Sequence, residues 1–400
     1  MEDEHRKKIL TINSGSSSIK FSLYRMEKEE ERILTGEMQG IGPDGGLFSA
    51  RNGEGETWIH EERSLPDHGT AMRLLLDRLR GQALDRDLDA VGHRVVHGGI
   101  RHSRPERITP GLLAELKRLT PFVPEHLPHE LSAIETIGRD YPALAQVACF
   151  DTMFHRRMPP VAQRYPFPGD LFGNGVLRYG FHGLSYEYIM EVLKQEAGRE
   201  AAAGRIIIAH LGHGASMAAV HKGQCLDTTM GFTPAGGLVM STRSGDLDPG
   251  LLLYLLEQKR MTPRELNELV NRRSGLLGVS GTSGDMKELL AKEEKDPRAK
   301  DAVDLFCYQA RKFLGGLTAA LGGLDTLVFT GGIGEHAAKI RRRICDGLEF
   351  LELTLDPERN RSHAPIISAS GSRVTVRVTH TNEELMIARH TAYLLRNVAP

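Results

Sequence analysis

Apolar and polar positions along the chain fall into two spacings. Ile9-Leu10-Thr11-Ile12 is a short apolar run, Asn13-Ser14-Gly15-Ser16-Ser17 is turn chemistry, and Ile19, Phe21 and Leu23 then alternate with Lys20, Ser22 and Tyr24. A period of two marks a strand with distinct faces, so Ile9 to Tyr24 is predicted to run strand, turn, strand. The same grammar returns in the second half. Ile206 to Leu211 is a buried-type strand, Gly212-His213-Gly214-Ala215-Ser216 a turn, and Met217 to His221 an outward run that turns at Lys222-Gly223 into Gln224 to Asp227. Two similar turns, each opening a half-chain, suggest duplicated α/β domains facing a cleft. Two ordinary hairpins have the same pattern.

Between these segments the spacing changes to three and four. Thr70 to Leu79 and Leu112 to Leu119 read as amphipathic helices, Pro249 to Glu257 as an apolar helix with a proline start, and Ala302 to Leu321 as a long helix with Gly315-Gly316 a break or close-packing point. Lys292 to Lys300 reads as a charged surface connection and Gly36 to Gly55 as a loop or edge hairpin. Leu324 to Thr330 is a further strand, followed by Gly331-Gly332-Ile333-Gly334 and a helix whose buried stripe is Ile340, Ile344 and Leu348. Arg373 to Val378 predicts a late strand, and Glu383 to Leu395 a last helix capped by Thr381 or Asn382. Alternating strands and helices place the chain in the α/β class.

Length and charge narrow the picture. At roughly 150 residues per domain, 400 residues predict two or three domains with ample core. The formal net charge is -1, so no basic field points to nucleic acid or to a membrane surface. The triplet Arg341-Arg342-Arg343 reads as a solvated helix face. The charged start, Met1 to Lys8, lacks the apolar core of a signal peptide, and no run of about 18 apolar residues predicts a membrane helix. Cys149, Cys225, Cys307 and Cys345 are far apart, which predicts free thiols in a reducing, cytoplasmic compartment.

Glycine-rich turns after strands expose backbone N–H groups to phosphate oxygens. Three such turns occur, at Asn13–Ser18, Gly212–Ser216 and Gly331–Gly334. None continues into the Gly-Lys-Ser/Thr of a Walker loop. Gly332 to Ala337 fits G-x-G-x-x-A, but too near the end of the chain for a dinucleotide domain to follow. Phosphoryl transfer also needs cations around the migrating group. Arg94 sits in a Val-rich strand, Gly92 to Gly99, and Arg243 in the polar loop Ser241 to Asp246. An arginine in an apolar strand is costly unless an anion pairs with it; a structural ion pair and a ligand anion both satisfy that. His93 and His97 would lie roughly 13 Å apart on a strand, which argues against zinc. His126 with His129, and His210 with His213, lack a third ligand.

Taken together these motifs resemble the acetate kinase family. The stretches that carry the resemblance are Asn13 to Lys20, Gly92 to Gly99, Phe150 to His155, Arg178 to Gly183, His210 to Ser216, Met230 to Pro234, Thr242 to Asp248, Phe329 to Glu335 and Thr381 to Leu385. Their order spans nearly the whole chain. The resemblance implies a duplicated actin/Hsp70/sugar-kinase-type fold, ribonuclease H-like in each half, with domains 1–152 plus 385–400 on the acyl side and 153–384 on the nucleotide side. It implies transfer of the ATP γ-phosphoryl group to acetate or propionate, a Mg²⁺ or Mn²⁺ ion, and a homodimer.

By position, the resemblance assigns Asn13 and Glu383 to the metal, Arg94 and Arg243 to the carboxylate and phosphoryl group, and Asp151 to an essential carboxylate near both. His182 matches the histidine that stabilises the migrating group, and His126 a further active-site histidine. Val96, Phe181 and Pro234 match the walls of the acyl pocket. His210, Gly212, His213, Gly214, Asp285, Lys287, Gly331, Gly332, Ile333 and Gly334 match the nucleotide site. A carboxylate acceptor is already ionised at neutral pH, so the task is to bring two anions together rather than to remove a proton. Asp151 is therefore expected to orient or to hold metal-bound water, not to act as a base. Four residues depart from the family: His213 and His336 stand where asparagine is usual, Lys287 where arginine is usual, and Glu125 where the acyl pocket is usually apolar. The competing class on the same fold is a phosphohydrolase of the polyphosphatase kind.

Overall fold

The first strand, β1 (Lys7–Ser14), is buried from Ile9 to Ile12 on both faces, as a continuous apolar run requires of a central strand. The computed structural model describes residues 7–27, 29–42 and 45–397; the residues before Lys7 in the charged start lie outside them. The chain divides into two units, Met1–Met153 with Asn382–Pro400, and Phe154–Thr381.

The first unit is built on an eight-stranded sheet. Its strands are β1, β2 (Ser18–Met26), β3 (Glu30–Gln39), β4 (Gly46–Asn52), β5 (Thr57–Arg63), β6 (Ala90–Val95), β7 (Glu106–Arg107) and β8 (Ala145–Phe150), in the order β5-β4-β3-β2-β1-β6-β8-β7. The strand from β1 through β5 is an antiparallel meander, whereas β6 lies parallel to β1 and β8 parallel to β6. Leu10, Ile12 and Phe21 on one face pack with Ala71, Met72, Leu75 and Leu79 of the helix His68–Gly81. On the other face Ile9, Tyr24 and Met26 pack with Ala388 and Ala392 of the last helix, Glu383–Asn397. That helix lies tight on β6. A Cβ at Gly92 would stand 2.6 Å from Ile387 Cγ2 and closer still to Thr391 Oγ1. Asn382 caps the helix, its Oδ1 accepting from Leu385 N at 3.0 Å.

The second unit carries a five-stranded sheet in the order β11-β10-β9-β12-β13, from β9 (Arg205–Leu211), β10 (Ala215–His221), β11 (Gln224–Thr228), β12 (Thr326–Thr330) and β13 (Thr375–Val378). Ile206, Ile208, Ala218, Val220 and Val328 pack with Tyr186, Ile189 and Leu193 of the helix Gly183–Ala203. Each sheet repeats one connection rule. Its opening strand pairs antiparallel with the next strand on one side (β1 with β2, β9 with β10) and parallel with a later strand on the other (β1 with β6, β9 with β12). That shared topology is the duplication expected from the two glycine turns.

Gly36 to Gly55 takes the second of its two expected forms, lying in the antiparallel hairpin of β3 and β4. Three expectations change. The long helix runs Pro297–Leu321 without interruption, and a Cβ at Gly315 or Gly316 would meet nothing within 4 Å, so the pair neither breaks the helix nor packs closely. Arg341 is not on a solvated face. It is fully buried and donates to the carbonyls of Gly334 at 2.8 Å, Glu335 at 2.9 Å and Asn360 at 2.7 Å. Arg343 likewise meets the buried Glu293 in the segment read as a surface connection, at 2.7 Å.

Candidate functional site

In the first unit the carboxyl ends of three parallel strands meet at one edge of the sheet, the usual position for a ligand in an α/β fold. Asn13 is on β1, Arg94 on β6 and Asp151 just beyond β8, with Glu383 opening the last helix. Arg94 Nη2 donates to Asp151 Oδ2 at 2.8 Å, and its Nη1 to Asn13 Oδ1 at 3.3 Å. Asn13 Nδ2 donates to Glu383 Oε2 at 3.0 Å, and Arg94 Nε stands 4.0 Å from the same oxygen. Four of the residues singled out in the sequence thus form one network. Burial works against the charge on Arg94, but the Asp151 and Glu383 carboxylates outweigh it and hold the guanidinium ionised. Next to Glu383, burial and that neighbouring carboxylate push Glu384 upward.

A fifth member was not legible in the sequence. Glu130, on the helix Leu127–Asp140, is buried and accepts the backbone N–H of Val96 at 3.0 Å. Burial pushes its carboxyl up to about 8, against the pull of Arg94. Val96 itself is buried. His126 occupies the N-cap position of the same helix, and Glu125 beside it is half-buried. The turn after β1 is anchored by His68, whose Nε2 shares a hydrogen bond with the Gly15 carbonyl at 2.7 Å and whose ring stacks on His129. Buried His93 pairs with Gln146 at 2.8 Å, and burial holds it down at about 4, so it is a neutral structural group.

In the second unit a comparable edge forms where β9 and β12 end and β10 begins. His182 precedes the helix Gly183–Ala203 in the left-handed region, φ 60°. Its Nδ1 shares a hydrogen bond with Ser216 Oγ at 2.9 Å, and its ring stacks on His210 at 4.3 Å. Ser216 also meets the Tyr186 hydroxyl. His210 Nδ1 is held by Ser185 Oγ at 2.8 Å, which in turn accepts from Thr381 Oγ1 at 2.8 Å. Ser185 was not expected at the site, and Ser216 was read only as the end of the second glycine turn. The His-x-x-x-x-x-Ser spacing that puts His210 and Ser216 opposite each other is the register of the β9–β10 hairpin.

Glycines keep this edge open. A Cβ at Gly214 would lie 3.1 Å from His182 Nε2 and 3.6 Å from Arg243 Nη1, so those two side chains flank one turn. A Cβ at Gly212 would lie 3.9 Å from Gly332 N, which brings the second and third glycine turns together. Gly331 has φ +75°, and a Cβ there would press on the Leu211 carbonyl at 2.8 Å. The Gly331 N–H is taken by Glu335 Oε1 at 2.9 Å. Ile333 and Gly334 belong to the short helix Gly331–His336. Arg243 Nη1 donates to the Pro234 carbonyl at 3.1 Å, and Phe181 is buried. The loop before the helix Met286–Lys292 packs against that of Arg243, since a Cβ at Gly284 would meet the Ser241 carbonyl at 2.8 Å. Asp285 caps this helix through Glu288 N at 3.0 Å, and Lys287 is exposed on it. His213 stands in the β9–β10 turn, and its carbonyl accepts from Ser241 N at 3.2 Å.

The chemistry of the two edges differs. The first offers a charged arginine among carboxylate and amide oxygens; the second offers glycine turns, two stacked histidines and a second arginine. The sequence profile of the Acetokinase family matches residues 8–389. An acetate kinase of Rhodopseudomonas palustris (strain TIE-1) is 49% identical over 392 residues, covering 96% of this chain and 97% of that protein. A propionate kinase of Citrobacter rodentium is 41% identical over 387 residues, covering 96% and 95%. Among solved structures, an acetate kinase of Porphyromonas gingivalis superposes with a TM-score of 0.86 at 38% identity, covering 97% of this chain and 100% of that one. A propionate kinase of Francisella tularensis does so with 0.90 at 34% identity, covering 96% and 98%.

Proposed function

The chain belongs to the acetokinase family, and on that premise we propose that it transfers the γ-phosphoryl group of ATP to a short-chain carboxylate, reversibly forming an acyl phosphate and ADP. The observation that carries the reading to residues is the network of Arg94, Asp151, Asn13 and Glu383. The polyphosphatase-type alternative finds no support among the relatives described above.

The two sets divide the work. Arg94 supplies a permanently charged guanidinium for an anionic substrate, and Asp151 fixes its direction by the bond at 2.8 Å. Asn13 and Glu383, with Asp151 beside them, present amide and carboxylate oxygens, the donor type that suits Mg²⁺ or Mn²⁺, so these residues fit that ion. When bound, such an ion neutralises phosphate charge. The glycine turns at 212–214 and 331–334, whose Gly212 and Gly331 N–H groups bond within the protein, are the backbone segments suited to approach by phosphates, and the resemblance assigns Asp285 and Lys287 to the nucleotide. Arg243 and His182 flank Gly214, which suits both to the charge that develops on a migrating phosphoryl group. Ser216 holds Nδ1 of His182, so Nε2 is the ring atom directed at the turn. The acceptor carboxylate needs no base, and in-line transfer follows from positioning and charge alone. The resemblance assigns Val96 of the first unit and Phe181 and Pro234 of the second to the acyl chain, with His126 close in sequence to Glu125 and Glu130.

A homodimer is supported by the helix Pro249–Glu257, none of whose residues is buried although it is the apolar stretch Pro-Gly-Leu-Leu-Leu-Tyr-Leu-Leu-Glu. A cytoplasmic setting is supported by four buried cysteines, none in a disulfide; no helix among the described residues is long and apolar enough to cross a membrane. The deciding assay incubates protein, ATP and Mg²⁺ with a panel of short acids and traps acyl phosphate with hydroxylamine. Hydroxamate from acetate or propionate, abolished by Arg243→Ala, is expected. Phosphate release with no hydroxamate from any acid would overturn the reading.

A further inference from the structure

His336 departs from the family motif, and the chemistry above makes no use of it. It is the residue after Glu335, whose carboxylate is pinned on one side. Oε1 accepts from Gly331 N at 2.9 Å, Thr381 N at 3.2 Å and Thr330 Oγ1 at 3.3 Å. Those three donors fix the plane of the carboxylate and leave Oε2 turned the other way. His380 Nδ1 meets Oε2 at 2.6 Å, and His336 Nε2 stands 3.9 Å from it. One ligand atom from each of Glu335, His336 and His380 lies within 4.8 Å of the others. The rings of His336 and His380 have centroids 5.8 Å apart.

Burial is graded across the cluster. The Glu335 side chain is 10% exposed, whereas those of His336 and His380 are 69% and 75% exposed. The carboxylate is therefore preorganised, and the exposed imidazoles need shift only a short distance to bring the three donors to roughly 3.4 Å from one another, as bonds of about 2.1 Å require. A simple ion pair accounts for one histidine on this carboxylate; it does not account for a second histidine, nor for a third, His363, whose ring lies 6.3 Å from that of His336. His363 Nδ1 takes Arg341 Nη2 at 3.1 Å, and the same arginine holds the Gly334 and Glu335 carbonyls. The backbone beneath the cluster is thus clamped as well.

We propose that Glu335, His336 and His380 form a site for a zinc-class divalent transition cation, separate in its donor chemistry from the all-oxygen set at Asn13 and Glu383. Two imidazoles and one carboxylate favour Zn²⁺, Co²⁺ or Ni²⁺ over Mg²⁺, and the outward-facing rings leave coordination positions open. Glu335 gives one oxygen to the glycine turn and the other to the cation, so the ion is anchored to the Gly331 loop through a single carboxylate. This assignment does not depend on the acyl acceptor or on turnover.

The test is Zn²⁺ alone, titrated calorimetrically at pH 7.5 into chelator-treated full-length protein without nucleotide or Mg²⁺. One Zn²⁺ per chain is expected for wild type, with affinity at least about tenfold weaker in His336→Ala/His380→Ala. Co²⁺ added to wild type should give visible absorption bands of a low-coordinate site that the double variant lacks. Equal Zn²⁺ binding by both proteins, or no binding by either, overturns the proposal. If the double variant fails to fold by circular dichroism, the single variants His336→Gln and His380→Gln are titrated instead. Unchanged affinity in both, or Co²⁺ bands absent from wild type, overturns it equally.

Discussion

Arg94 Nη2 donates to Asp151 Oδ2 across 2.8 Å, with Asp151 wholly removed from solvent. A buried carboxylate of this kind is tolerated because the guanidinium is there, and removing either member takes from the other its nearest opposite charge. Asp151→Asn keeps the shape and deletes the charge. It should lower kcat for hydroxamate formation by about 10²-fold or more and unfolding free energy in urea by roughly 3 kcal/mol. Near-full turnover in Asp151→Asn would remove Asp151 from the charge-handling role.

Gly214 is expected to be intolerant for a local reason. Its Cβ would stand 3.1 Å from His182 Nε2, on the turn proposed to meet phosphates. Gly214→Ala should therefore raise the KM for ATP by about tenfold or more and leave the melting temperature within a few degrees. An unchanged KM would move the phosphate contact elsewhere.

Glu130 predicts a pH dependence of stability. Its carboxyl is raised from the ordinary 4.5 to about 8 by burial, despite Arg94 and the Val96 N–H. The folded protein therefore keeps a proton that the unfolded chain releases, and stability falls as pH rises between those two values. Urea unfolding at pH 5.5 and pH 8.5 should differ by up to roughly 3 kcal/mol more in wild type than in Glu130→Gln. Identical slopes in the two proteins would show that Glu130 does not titrate in this window.

The exposed helix Pro249–Glu257 presents Leu251, Leu253 and Tyr254 to solvent at 44%, 57% and 47%. Leu253→Asp should convert a dimer to a monomer in sedimentation at micromolar concentration, since one charge in the apolar centre of an interface costs several kcal/mol. A monomeric wild type would end the homodimer proposal.

Much of the fold was legible because local pattern and tertiary role agree. The apolar run at Ile9–Ile12 and the alternation after it became β1 and β2, and the second glycine turn became the β9–β10 hairpin with Lys222 (φ 52°) and Gly223 (φ 73°) at its far end. Arg94 could be singled out because an arginine in an apolar strand is a costly setting, whereas Asn13, Asp151 and Glu383 could be named only through the family resemblance. Glu130 and Arg341 could not. A glutamate in the first turn of a helix looks the same whether solvated or buried, and in Arg341-Arg342-Arg343 nothing in the spacing tells which arginine turns inward. Buried polar partners are set by tertiary contact, such as that of Arg341 with Asn360, at sequence separations no periodicity reaches.

The return of the last helix onto β1, β2 and β6 also sets an order on biosynthesis. Asn13 leaves the ribosome 370 residues before its partner Glu383 and the helix that covers Ile9 and Tyr24. Throughout elongation one face of the first sheet must wait uncovered while the intervening unit, Phe154–Thr381, is made. A chain released before this helix would carry both arginines and every glycine turn and still lack an oxygen donor proposed for the metal. Synthesis of the helix Glu383–Asn397 is thus a licensing step for this protein's chemistry, and its removal is predicted to be far more damaging than its distance from Arg243 in sequence suggests.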